Sequence, residues 1–305
     1  MGRTTRLSAR TPPEAYFVGS AVFHYLGPAF AVLLFARVEP LGVAWLRIVG
    51  AAAVFALWRR PWRVFGRMDG SARRLVLALG IVFAVMNACF YVAIDALPLG
   101  TVAAIEFLPV IALAAAGTRT ARNGAALALG VIGVYLLTDL ELEAEPVGVA
   151  FAFANAALFA TYIVLAHRLS RVAEFGRLDG LAAAMLVAAA VATPLGGWSA
   201  VPAFPDPALL LAGLGVGITS SVVPYVFDQL AMARLPRATY ALMVSILPAT
   251  ATVIGVVVLR QVPTALELVG VALVAAGVAL HRERAETTRP SARIEAQGAE
   301  VPSRP

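Results

Sequence analysis

The residues with chemical potential sit where charge is expensive. Residues 86–109, MNACFYVAIDALPLGTVAAIEFLP, form an apolar stretch that nonetheless carries Asn87, Tyr91, Asp95 and Glu106. A charged side chain at bilayer depth costs about 2.5–3.5 kcal/mol on insertion scales, so it faces a protein interior or a wet cavity. Glu106 is therefore the first candidate: a carboxylate there can hold a substrate amine or take up a proton during transport. The competing reading is a neutral or paired Glu that bonds a neighbouring helix. Arg47 can hold a substrate carboxylate or pair with Glu106; otherwise it snorkels to the interface. Asn87, Tyr91 and Asp95 recur every four residues and so share a helix face. Asn87, Tyr91, Ser221 and Tyr225 can hydrogen-bond a solute, or act as interhelical glue worth about 0.6 kcal/mol per bond. Asp95, Asp228 and Gln229 read as helix-end residues, and His24 and Tyr25 as packed polar groups. Glu106 precedes Pro109 by three, as Ser245 precedes Pro248. Each of those prolines deprives its helix of a backbone hydrogen bond and can free a carbonyl.

The elements that must carry these residues are membrane spans. The 305 residues are 60% hydrophobic and 14% charged, with mean hydropathy +0.84. Globular chains run at about 45–50% apolar and about 25% charged, so this is an integral membrane protein. The net charge of +6 and pI of about 10.1 would suit nucleic acid. All 24 basic residues are Arg, however, and those of the body fall in short gaps between apolar runs. Positive-inside sorting explains that placement, and the expected partners are the bilayer and a small molecule, not nucleic acid. Cys89 is the lone cysteine, which excludes an intrachain disulfide and a Cys-based metal site. His24, His167 and His281 lack ligand spacing, so no metal or cofactor is expected. No Walker A pattern occurs, which argues against direct ATP drive. An intramembrane enzyme would need a nucleophile and base facing each other; Ser220 or Ser221 with His24 is the formal option, and nothing in the sequence joins them.

A spanning helix needs about 20 apolar residues. Such runs occur ten times, at about 16–35, 41–57, 75–97, 99–116, 123–138, 147–166, 181–197, 208–233, 238–259 and 264–280. The first is long for a signal-peptide core and has no clear cleavage site, so it reads as a retained helix. Every second gap is rich in Arg: 58–74, then Arg119 and Arg122, then Arg168, Arg171 and Arg177, then Arg234 and Arg237. The other gaps are poor in Arg, and one is acidic, with Asp139, Glu141, Glu143 and Glu145. That alternation places both termini in the cytoplasm. The tails, 1–14 and 281–305, are polar and read as disordered.

Two segments echo each other. YVAIDALPLGTVAAIEFLP begins at Tyr91 and PYVFDQLAMARLPRATYALMVSILP at Pro224. Asn87 and Tyr91 keep the spacing of Ser221 and Tyr225, and the Glu106–Pro109 interval matches Ser245–Pro248. The chain divides accordingly into units of five spans, 15–140 and 146–280. An odd number per unit inverts the second, an architecture that puts a transporter's site between the halves near the midplane.

At these residues the chain resembles the drug/metabolite transporter superfamily, and within it the EamA-domain proteins of the threonine/homoserine exporter type. The resemblance covers all ten runs and is carried by LRIVGAAAVFALWRRPWR (46–63), by 86–109, by the segment from Pro224, and by NAALFATYIVLAHR (155–168). It implies an all-α fold of ten transmembrane helices in two inverted five-helix repeats. It also implies export of amino acids or other small metabolites across the cell membrane. Glu-Phe-Leu-Pro at 106–109 has no glycine before its proline, and Ser245 stands where a carboxylate would complete the second copy. The expected function is a secondary transporter, coupled to protons or simply facilitative, acting on amino acids first. A drug or other metabolite permease of the same fold is the alternative, and a non-transporting scaffold the third.

Overall fold

Prolines and acidic caps decide where the apolar runs begin. Helices α1 (Pro13–Leu34) and α2 (Pro40–Arg59) each open on a proline, whose missing N–H is harmless in the first turn. A short helix α3 (Trp62–Phe65) precedes α4 (Gly70–Ala96), where Asp69 accepts the N–H of Ala72 at 2.6 Å. Next come α5 (Leu99–Gly117), α6 (Ala121–Ala144), α7 (Pro146–Leu169) and α8 (Arg177–Gly196). Helix α9 (Pro207–Gly217), capped by Asp206, passes through a π-turn (Ile218–Val222) into α10 (Val223–Met232). Helices α11 (Leu247–Leu259) and α12 (Ala265–Leu280) follow. The computed structural model describes residues 12–117, 120–169, 177–232, 234–235 and 243–280, and no strand occurs among them. Residues 1–11 and 281–305, most of the expected tails, lie outside the described residues, as do Arg119, Arg171 and Arg237.

Each apolar run contains a helix, with three departures from the sequence reading. The acidic stretch 139–144 is the last part of α6, not a gap. Glu, Leu and Ala favour helix there, and the break comes only at Glu145, which the following Pro146 pushes out of the helical region. The run at 208–233 is divided by the π-turn. At Pro248 the helical run is broken outright: Met243 and Val244 are helical, a turn follows at 245–246, and the proline stands in the first turn of α11. Pro109, by contrast, lies inside α5.

Among the described residues six helices are long and apolar enough to cross a bilayer, by length and composition, and four shorter apolar helices accompany them. Large apolar side chains such as Leu57, Leu211 and Val257 lie exposed on the outside, as lipid contact allows. Helix α1 packs on α10 and α11, and α7 on α4 and α5. Helices α2 and α8 pair, α2 also meets α9, and α4 also meets α8. Helix α5 meets α11, and α6 pairs with α12. Two ion pairs brace the bundle, one from the α1–α2 connection to the cap of α9, the other from α2 to α8. Arg37 bonds Asp206 at 3.1 Å, and Arg59 bonds Asp179 at 2.7 Å.

Candidate functional site

The site is assembled where α1 and α2 close on the π-turn. Glycines permit the approach. A Cβ on Gly217 would stand 2.6 Å from the carbonyl oxygen of Arg47, and one on Gly27 would overlap the Ser220 side chain. Helix α2 thereby delivers Arg47 to the turn. Its Nε donates to Ser221 Oγ at 3.3 Å and an Nη donates to the Ser220 carbonyl at 3.3 Å. That carbonyl has a local reason to be available: an α-helical bond to it would come from residue 224, which is proline and has no N–H. The Arg47 guanidinium also lies over the Tyr91 ring of α4, 5.5 Å from its centroid.

Glu106 of α5 is the opposite charge. It is 6% exposed, as is Arg47, and its Oε1 accepts the Asn155 Nδ2–H of α7 at 3.2 Å. The two groups lie within electrostatic reach of each other but are not ion-paired; the ion pairs among the described residues are Arg37–Asp206 and Arg59–Asp179. Tyr25 of α1 is buried and lies within electrostatic reach of Glu106, its ring edge-on to His24 at 5.2 Å. By hydrogen-bond geometry the buried Tyr25 Oη, Tyr91 Oη and Asn155 Oδ1 have no partner. Buried polar atoms are nearly always satisfied, so Tyr25 Oη and Asn155 Oδ1 are open to a water or a polar ligand, whereas Tyr91 has Arg47 beside its ring.

The predicted residues meet this centre unequally. Arg47, Tyr91, Ser221 and Glu106 line it. Arg47 does not snorkel, because the π-turn and Tyr91 hold its head inside the protein. Asn87 is buried but spends its amide on the Phe83 carbonyl of its own helix, at 2.8 Å. Asp95, expected on the same face, is exposed at the end of α4. Tyr225 is half-buried against Phe83, with ring centroids 6.4 Å apart, and Ser245 is buried in the turn before α11. Asp228 is half-buried within α10 rather than at a helix end. The sequence reading missed Asn155, set Tyr25 aside as a packed polar group, and weighed Ser220 only as a formal nucleophile. Asn155 had a signal, a lone amide within an apolar run, the same argument that singled out Glu106.

Two cavities lie elsewhere. A crevice of about 480 Å³ between α1 and α11 is apolar, lined by Val22, Leu26, Val253 and Val257 among others. A smaller one of about 40 Å³ touches Thr101, Thr252, Gln261 and Glu267. Among the described residues no group of His, Cys, Asp and Glu has the arrangement to hold a metal ion.

Comparison with known proteins agrees with a membrane carrier. Residues 146–282 match the EamA-like transporter family. The threonine/homoserine exporter RhtA of Escherichia coli (strain K12) is 31% identical over 256 residues, 83% of this chain and 85% of that protein. RhtA of Salmonella typhimurium (strain LT2) is 30% identical over the same shares. A solved crystal structure superposes with a TM-score of 0.58 over 88% of this chain and 96% of its own, at 19% identity, and shows the fold alone. Fold and relatives together define a multi-pass membrane protein of the transporter class. The chain belongs to the EamA-like transporter family, within the drug/metabolite transporter superfamily.

Proposed function

We propose that this protein is a secondary exporter of small zwitterionic metabolites in the cell membrane, with amino acids of the threonine/homoserine kind as first candidates. One observation carries the reading. Arg47 and Glu106, a base and an acid, are both buried and form no ion pair with each other. Buried charges are ordinarily paired. An α-amino acid supplies what each lacks, a carboxylate for the Arg47 fork and an ammonium for Glu106. The names of the RhtA relatives point the same way. Glu106 is also the group proposed to exchange a proton when substrate leaves.

The proposed frame is ten spans in two inverted units, with both termini cytoplasmic. The packing supports the division into two exchanged units. Exchanging α1 with α7, α2 with α8, α4 with α9 and α10, α5 with α11, and α6 with α12 turns the principal helix contacts into one another. The pairing of α1 with α10 becomes that of α7 with α4, and the pairs α2–α8, α5–α11 and α6–α12 map onto themselves. The matched Asn87–Tyr91 and Ser221–Tyr225 intervals fall on exchanged elements.

The deciding experiment loads proteoliposomes with labelled threonine, homoserine and a panel of other amino acids, and follows efflux with and without a proton gradient. Saturable efflux of at least one amino acid is expected, and efflux indistinguishable from protein-free vesicles across the panel overturns the proposal. Glu106→Gln should reduce gradient-driven efflux to background at unchanged yield of folded protein; wild-type efflux from that variant removes Glu106 from the mechanism. The apolar crevice between α1 and α11 favours a second reading, a drug or other metabolite permease, and efflux of lipophilic cations in place of amino acids would establish it.

A further inference from the structure

The connection between α2 and α4 has an anchored side and a charged side. Pro61, Met68 and Ala72 are buried, and Phe65, Met68 and Ala72 belong to one packed cluster with Leu169 of α7 and Ala183 and Ala184 of α8. Backbone bonds close the turn: the Arg63 N–H donates to the Arg60 carbonyl at 3.0 Å and the Phe65 N–H to the Pro61 carbonyl at 3.1 Å. An Arg73 Nη donates to the Phe65 carbonyl at 3.4 Å and Arg74 Nε to the Gly70 carbonyl at 3.3 Å, which folds both guanidiniums back onto the connection. Arg60, Arg63, Arg67, Arg73 and Arg74 are all exposed. Asp69 is the one acid between positions 58 and 74, and it caps α4. Asp179 already neutralises Arg59, at 2.7 Å. Among the described residues no other arginine of this stretch is ion-paired.

Apolar groups stand beside these cations. Leu57 is 81% exposed, and Trp58 and Trp62 are 51% and 55% exposed. Indole rings settle at the boundary between acyl chains and water, so Trp58 and Trp62 fix the depth of the connection at headgroup level. We infer that residues 57–74 form a docking surface for anionic phospholipids. The planar guanidinium fork matches a phosphate, and about four to eight basic residues directly beside a span are the pattern of an anionic-lipid site. Topology sorting does not call for so many: the other Arg-rich gaps carry two or three arginines and this one six. The exposed leucine and indoles favour a lipid over a soluble polyanion, which would leave them in water. The chain's own C-terminal tail does not suit the surface, because residues 281–305 hold five arginines against four glutamates. The inference goes beyond the proposed transport and does not depend on it.

The test is fluorescence quenching by brominated lipids in vesicles holding the full-length protein. The chain has four tryptophans, so Trp45→Phe with Trp198→Phe leaves Trp58 and Trp62 as reporters. Vesicles mix phosphatidylglycerol with phosphatidylcholine, and each lipid in turn carries the bromine. Phosphatidylglycerol should be preferred at the reporters by about threefold or more at about 0.1 M salt. The preference should shrink at about 1 M salt, where charge acts over only about 3 Å. Arg60→Gln, Arg63→Gln and Arg67→Gln together should bring it close to unity. These side chains are exposed, so the melting temperature of that variant in neutral detergent should equal that of the reporter protein. The same three positions changed to Lys should keep most of the preference. Equal quenching by the two lipids at low salt overturns the docking surface, as does a preference in the Gln variant as large as in the reporter protein. The salt comparison needs no arginine variant, and a preference indifferent to salt also overturns it. Binding of a soluble nucleic acid without any preference between the lipids would give this face to that partner instead.

Discussion

Arg47 is fixed as a platform rather than left as a mobile charge. Ser221, the Ser220 carbonyl and the Tyr91 ring hold one edge and one face of its guanidinium. A planar fork can satisfy those contacts and still present N–H groups to a carboxylate; an ammonium on a flexible stem cannot. Arg47→Lys should therefore raise the KM for export by about tenfold or more while keeping charge and fold, since it forfeits charge-assisted bonds of about 1.5–3 kcal/mol each. Transport kinetics at matched protein level check this, and an unchanged KM would show that charge alone suffices. Glu106 differs in kind. It has a single amide donor, Asn155, and nothing in its first contacts neutralises it. Membrane insertion made it stand out in the sequence, but its amide partner on α7 was not legible, because that contact spans 49 positions.

The elements owe their positions to small local devices. Pro224 withholds an N–H that a regular helix would send to the Ser220 carbonyl, and Arg47 takes the place of that donor. Pro224→Ala restores the competing donor. The expected result is a more stable α9–α10 segment with lower transport, read as a higher melting temperature alongside reduced efflux. Equal or higher efflux would mean that the π-turn does not depend on the proline. Gly217 lets α2 approach the turn, and Gly217→Val would push against the Arg47 carbonyl and the Ala51 N–H. Its efflux should fall by more than its folded yield. At α12, Thr264 and Glu267 form a reciprocal cap, with the Thr264 N–H donating to Glu267 at 2.6 Å and the Glu267 N–H to Thr264 Oγ1 at 3.2 Å. Thr264→Ala should cost about 1 kcal/mol of stability and leave the KM alone, because the cap residues bond each other and neither Arg47 nor Glu106.

At the scale of the molecule the testable claim is orientation. Cys89 is the only cysteine and is buried, so Cys89→Ser gives a background for site-directed labelling. A cysteine at Val262, which is 85% exposed in the α11–α12 connection, should react with an impermeant maleimide from outside intact cells. One at Arg67, exposed in the Arg-rich connection before α4, should react only after the membrane is opened. The reverse pattern would turn the molecule over. The sequence by itself determined that this is a membrane protein, where its apolar helices lie, and that Glu106 and Arg47 are its costly residues. Hydropathy and charge are local sums, which need no knowledge of what a helix packs against. The tertiary structure decided that Arg47 is buried on the π-turn and not ion-paired to Glu106, that Asn87 turns back on its own helix, and that Tyr25 and Asn155 belong to the centre. Those outcomes depend on contacts between residues as far apart as the 174 positions separating Arg47 from Ser221. A pattern along one chain does not specify which faces of two helices meet; packing of the whole bundle does.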